Sequence, residues 1–192
     1  AQFIGFPETC GGVLVSGGNM ANLVCFFAAR AAKAPWPVQR DGSMPPGSGR
    51  LRAYASKETH TWIQKAADLS GLGTDSIRWI ETDRSQRLRL DELERQVAAD
   101  RAAGDVPFLV VGTGGSVSTG AVDPLPALAA FCRREELWFH VDGAYGGIAA
   151  AAPEAPDDLR GLSEADSVAV DPHKWLYAPL EAGCALVRDP EL

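Results

Sequence analysis

The sequence predicts an α/β domain: a mainly parallel sheet of seven strands flanked by helices. Three observations lead there. Short apolar or β-branched runs recur along the whole chain, segments with helical spacing separate most of them, and the residues best suited to chemistry fall just past the ends of the strand-like runs. Strands that alternate with helices form βαβ units, which lay their strands down in parallel.

The first run, Val13–Val15, passes through a Gly17-Gly18 turn into a helix over Asn19–Lys33. Ala34–Arg50, with Pro35, Pro37, Pro45, Pro46 and three glycines, is the clear loop of the chain. Strand Leu51–Ala55 is followed by helix Thr59–Leu69, and strand Ser76–Glu81 by helix Leu90–Ala103. Phe108–Gly112, helix Leu125–Glu136 and strand Trp138–Asp142 continue the alternation, and Ser167–Val170 supplies a sixth strand. The segment Pro172–Gly183 is too short for a helical crossover, so the last strand, Cys184–Arg188, is expected to run antiparallel. There is no internal repeat and no low-complexity tract.

At 192 residues and 46% hydrophobic content, the chain can bury one sizeable core, so residues 1–192 are read as a single domain. A net charge of −7 argues against a nucleic-acid partner, because binding phosphates calls for Lys and Arg. Cys10, Cys25, Cys132 and Cys184 are scattered and suit a reducing, cytoplasmic setting. His60, His140 and His173 lack metal-ligand spacing, and no metal is expected. No stretch is apolar enough for a membrane span, and no signal-like start is visible. The first residue is Ala rather than Met, which leaves a removed targeting segment open.

The chemistry concentrates at two strand ends. Lys174, in Asp171-Pro172-His173-Lys174-Trp175, follows the run Ser167–Val170, which would carry it to the rim of the sheet. An ordinary lysine has a pKa of about 10.4, so Schiff-base chemistry needs surroundings that favour the free amine. Asp142 ends the preceding apolar strand, and the carboxyl ends of strands line the ligand crevice of open α/β sheets. Taken singly, Lys174 is a surface lysine and Asp142 a turn residue or cap. A pyridine ring explains both together: the lysine holds an aldehyde carbon and the carboxylate keeps the ring nitrogen protonated. Pyridoxal phosphate (PLP) is such a cofactor, and the Gly11–Leu23 block offers a helix start whose N–H groups can receive its phosphate. That turn matches neither the P-loop nor the G-x-G-x-x-G pattern.

Five blocks together resemble the PLP-dependent group II amino-acid decarboxylases, which include the aromatic amino-acid decarboxylases. They are Gly11–Leu23, Ser56–Ala67, Gly112–Pro124, His140–Gly147 and Asp171–Trp175, in the family's order and spread over nearly the whole chain. The resemblance implies the large domain of a fold-type I PLP enzyme, with Lys174 as the Schiff-base lysine and Asp142 paired with the pyridinium nitrogen. It implies His60 stacked on the ring near the substrate carboxylate, and Gly18 and Asn19 at the phosphate with Asp171 and His173 close by. Thr113 would hydrogen-bond beside the ring, and Ala144 would pack against it. Without the motifs, His60 reads as a helix-surface histidine and Thr113 as a strand-end hydroxyl. Asp171 is the least secure phosphate contact, because a carboxylate repels phosphate. Gly143 and the pair Asn19-Met20 depart from the family's usual Ala and Ser-Glu; the Gly143 change is expected to add backbone freedom.

The resemblance further implies decarboxylation of an L-amino acid, aromatic rather than acidic, to the amine and CO2. It also implies a homodimer with shared active sites, within which these residues would be the cofactor-binding core, without the family's N-terminal arm and small C-terminal domain. Two other readings stay open: a different PLP enzyme on the same core, such as an aldehyde synthase, lyase or aminotransferase, and a non-catalytic core. The family's mobile loop, which separates decarboxylase from aldehyde synthase, would lie beyond Leu192.

Overall fold

The computed structural model describes residues 1–191. Its seven strands are β1 (Gly11–Val15), β2 (Leu51–Ser56), β3 (Ile77–Ile80), β4 (Val106–Thr113), β5 (Trp138–Asp142), β6 (Ser167–Val170) and β7 (Gly183–Val187). Helices α1 (Gly17–Lys33), α2 (Val38–Asp41), α3 (Trp62–Leu69), α4 (Leu90–Ala102), α5 (Leu125–Arg134) and α6 (Pro172–Trp175) lie between them. The strands form one sheet in the order β1-β7-β6-β5-β4-β2-β3. Only β7 is reversed, antiparallel to both β1 and β6, as the short Pro172–Gly183 connection requires.

Side-chain alternation sorts the strands onto two cores. Phe139 and Val141 of β5 join Val110, Val168 and Val170 beneath α4 and α5, meeting Leu93, Leu125 and Leu128. Ala53, Ala55, Leu109, Val111 and Trp138 pack on the other face against Phe26 and Ala29 of α1 and Trp62 and Ile63 of α3. Each large side chain buried this way stabilises the fold by about 1.5–3 kcal/mol. Because Trp138 faces α1 and α3, the period of two puts His140 and Asp142 on that face as well.

Several element bounds shift by one or two residues from the sequence expectation, and two differences are larger. The Ala34–Arg50 loop contains the single turn α2. Helix α3 begins at Trp62 rather than Thr59. Thr59 is held outside it by its hydroxyl, which lies 3.4 Å from Ser56 Oγ and 3.3 Å from Thr113 Oγ1. His60 therefore sits in the turn that precedes the helix, not on the helix surface.

Candidate active site

The carboxyl ends of β4, β5 and β6 and the start of α1 enclose a cavity of about 240 Å³. All nine residues singled out in the sequence line it: Gly18, Asn19, His60, Thr113, Asp142, Ala144, Asp171, His173 and Lys174. Strand register explains the convergence, since Thr113 lies opposite Asp142, and Asp142 opposite Ala169, two residues before Asp171.

One wall is the beginning of α1. Gly17 adopts φ +80°, a conformation that favours glycine, and Ser16 makes no side-chain cap. Among the described residues no side chain claims the first N–H groups of this 17-residue helix, which form a positive end suited to an anion. A side chain at Gly18 would collide with Asp171, whose Oδ2 lies 2.6 Å from where a Cβ would stand. The glycine is needed to let the carboxylate and the helix meet.

Asp142 forms the floor and is almost fully buried. Its Oδ2 accepts a hydrogen bond from Trp62 Nε1 at 2.7 Å, and its Oδ1 accepts from Ala144 N at 3.2 Å and Asn22 Nδ2 at 3.3 Å. Behind it His140, fully buried, is bonded to Asn22 and Ser167. Burial pulls the His140 imidazole down to about 4, so it is neutral at physiological pH.

Lys174 stands on α6, with Nζ 3.1 Å from Asp171 Oδ2 and its side chain about one-third exposed. His173 Nε2 lies 3.8 Å from the same carboxylate oxygen, while its Nδ1 faces Ala182 O and N at 2.8 and 3.1 Å. Asp171 Oδ1 is buried without a partner. Asp171 thus serves as counter-ion to Lys174.

His60 is exposed on the opposite wall, where its Nδ1 accepts from Trp62 N at 3.2 Å, which leaves Nε2 to carry the proton. Thr113 is pinned by its N–H to Asp123 Oδ2 at 2.8 Å; Asp123 Oδ1 accepts from Leu88 N at 2.6 Å. Gly143 has no left-handed backbone; a Cβ there would come within 3.0 Å of Gly147 Cα and 3.1 Å of Ala169 O. Close packing, rather than added freedom, accounts for this glycine.

Sequence reasoning missed Asn22, Trp62, Ser167 and Asp123. Two signals were available: Asn22 lies one helical turn after Gly18, and His140 shares a strand face with Asp142.

A mainly parallel sheet of this order, with a lysine and a carboxylate at neighbouring strand ends around a helix start, is a fold-type I architecture. The sequence matches the pyridoxal-dependent decarboxylase conserved domain over residues 1–192, and the chain belongs to that family. It is 37% identical over 190 residues to the aromatic-L-amino-acid decarboxylase of Bacillus atrophaeus, covering 99% of this chain and 38% of that protein. It is 42% identical over 179 residues to the cysteine sulfinic acid decarboxylase of Mus musculus, covering 93% and 36%. Among solved structures, mouse CSAD superposes with a TM-score of 0.91 at 39% identity, covering 98% of this chain and 39% of that one. The Oryza sativa TDC solved with PLP and tryptamine gives 0.86 at 37% identity, covering 98% and 40%. The chain therefore spans less than two-fifths of the curated relatives named here.

Proposed function

We propose that these residues are the cofactor-binding core of a PLP-dependent amino-acid decarboxylase, with Lys174 as the covalent anchor. The observation that carries this reading is that Lys174, Asp142 and an uncapped helix start share one cavity. The residues fit the cofactor: a glycine-walled positive helix end for the phosphate, a buried carboxylate for a ring nitrogen, and a primary amine lining the same cavity. Asp171 alone fits a phosphate poorly, and its charge is offset by Lys174.

When bound, PLP supplies an electron sink for the pair left behind as CO2 departs. The chain's own groups do the rest. Asp142 would hold the ring nitrogen as a cation, its own carboxylate kept ionised by the three N–H groups aimed at it. His60 offers a flat face and an Nε2 proton at the cavity wall. Thr113, fixed by Asp123, and Ala144 would flank the ring, while Gly18 and Asn19 would offer backbone N–H groups to the phosphate.

For the substrate we favour an aromatic over an acidic side chain. Among the described residues, Glu58 and Glu181 line the cavity and no arginine does, so an anionic side chain would meet like charge. The similarity to a cysteine sulfinic acid decarboxylase favours the acidic alternative, and a solved 4-hydroxyphenylacetaldehyde synthase with TM-score 0.86 at 34% identity keeps an aldehyde product in view. A homodimer with shared sites belongs to the same reading; Leu180, which lines the cavity and is exposed, supports further packing there.

The test is borohydride reduction of the full-length enzyme followed by peptide mass spectrometry, with amine, aldehyde and CO2 measured from aromatic and acidic amino acids. Label on Lys174 and amine from an aromatic substrate are expected. Label on Lys57 or Lys65, or none, overturns the assignment.

A further inference from the structure

The hydrogen bonds behind Asp142 form a chain with one workable direction. Trp138 Nε1 can only donate, and gives its proton to Ser167 Oγ at 2.8 Å. The Ser167 hydroxyl proton is then available for His140 Nδ1 at 2.9 Å. A neutral ring with Nδ1 accepting carries its proton on Nε2, which donates to Asn22 Oδ1 at 2.7 Å. Asn22 Nδ2 in turn donates to Gly18 O at 2.9 Å and to Asp142 Oδ1 at 3.3 Å. Flipping the Asn22 amide would set its oxygen against two acceptors and its NH2 against the His140 N–H. A buried network of this kind keeps all its bonds only in this orientation.

We propose that His140 is a positioning residue for Asp142: acting through Asn22, it keeps an N–H aimed at the carboxylate and so keeps the proton shared with a cofactor ring on the ring nitrogen. This rests on the reading of Asp142 given above. The physical step is simple, because every donor aimed at a carboxylate weakens its own hold on a proton. Trp62 does the same for Oδ2, and its ring meets that of His140 edge-on at 5.6 Å, so one packed unit holds both oxygens. Asn22 also ties the carboxylate to the helix start through Gly18 O, coupling the ring-nitrogen end of the cavity to its phosphate end.

The experiment compares wild type with His140→Phe, His140→Gln and Ser167→Ala in the full-length protein, with and without PLP. Nitrogen NMR of the cofactor-free wild type should report a neutral His140 protonated on Nε2. In the holoenzyme, nitrogen NMR of PLP labelled at the ring nitrogen, followed against pH, reads the ring-nitrogen proton. His140→Phe should move this titration by roughly one pKa unit, the more basic Asp142 carboxylate drawing the shared proton about tenfold away from the ring nitrogen. His140→Gln, which can still present an N–H to Asn22, should restore most of the wild-type titration, and Ser167→Ala should shift it in the same direction by less. A merely structural role would lower stability in all three without moving this titration. An unchanged titration in His140→Phe overturns the proposal, as does a wild-type proton on Nδ1. If His140→Phe does not fold, an unchanged titration in Ser167→Ala overturns it equally. A wild type that binds no PLP instead fails the cofactor reading and takes this proposal with it, an outcome distinguishable because no ring signal exists to titrate.

Discussion

Mild acid should cost this protein stability through one residue. His140 is fully buried, and its imidazole is held near 4 instead of its ordinary 6.5. Below pH 6.5 the unfolded chain takes up a proton that the folded protein refuses until about pH 4. The stability tied to the neutral ring is therefore complete above 6.5 and is lost as pH falls through that window. The window is 6.5 − 4 = 2.5 units wide, which at about 1.4 kcal/mol per unit amounts to about 3 kcal/mol. Other groups titrate in the same range, so the informative quantity is a difference. Chemical denaturation of wild type and His140→Gln, each between about pH 7 and about pH 4.5, should show wild type losing about 2–3 kcal/mol more than the variant, whatever their offset at neutral pH. Equal losses would refute the reasoning, as would an imidazole NMR signal titrating near its ordinary value.

Other substitutions separate the roles around the cavity. Asp142→Asn should retain cofactor yet lose most turnover, since an amide cannot balance a ring cation and charge-assisted hydrogen bonds are about twice as strong as neutral ones; near wild-type turnover would remove Asp142 from its role. His60→Asn should lower amine formation at least about tenfold with a smaller change in PLP retention, because a positioned acid or base contributes about 10²–10⁴-fold; unchanged amine output would make His60 a bystander. Asp171→Asn removes a negative charge beside the helix start and should tighten PLP binding by roughly tenfold in equilibrium dialysis, whereas weaker binding would mean that the pairing with Lys174 matters more. Asp123→Asn turns an NH2 group against the N–H of Leu88 or Thr113 and should cost about 1–3 kcal/mol in chemical denaturation; an unchanged midpoint would contradict those two bonds.

The strands were legible because their apolar runs are buried on both faces of the sheet, as in β2, β5 and β6. The reversed β7 was legible too, since too little chain separates it from β6. Helix α3 was placed too early because Thr59 and His60 fit a helical pattern locally, whereas hydroxyl bonds to Ser56 and Thr113 decide the turn. The nine cavity residues could be picked out because motif and strand-end position agree on them. The support behind Asp142 was missed, because Asn22, Trp62, His140 and Ser167 come from four separate elements, and the spacing of Asn22 from Gly18 and of His140 from Asp142 points to it only once those elements are brought together. Gly143 was read for flexibility when its neighbours Gly147 and Ala169 impose closeness, a tertiary fact with no local signature.

The placement of β7 fixes an order of events during synthesis. Gly11 at the beginning of β1 pairs with Val187 at the end of β7, and β1 has no other strand partner in the sheet. β1 must therefore wait for β7 to be made before it can join the sheet, and its neighbour α1, which carries one wall of the cavity, rests on β6 and β7 as well. Contacts this distant in sequence form slowly, because the closure of a long loop precedes any gain from it. A nascent chain arrested before Gly183 should thus leave β1 accessible to protease and fail to retain PLP, while one arrested well past Leu192 should protect it. Protection of β1 in the shorter chain would show that some other contact holds the first strand in place.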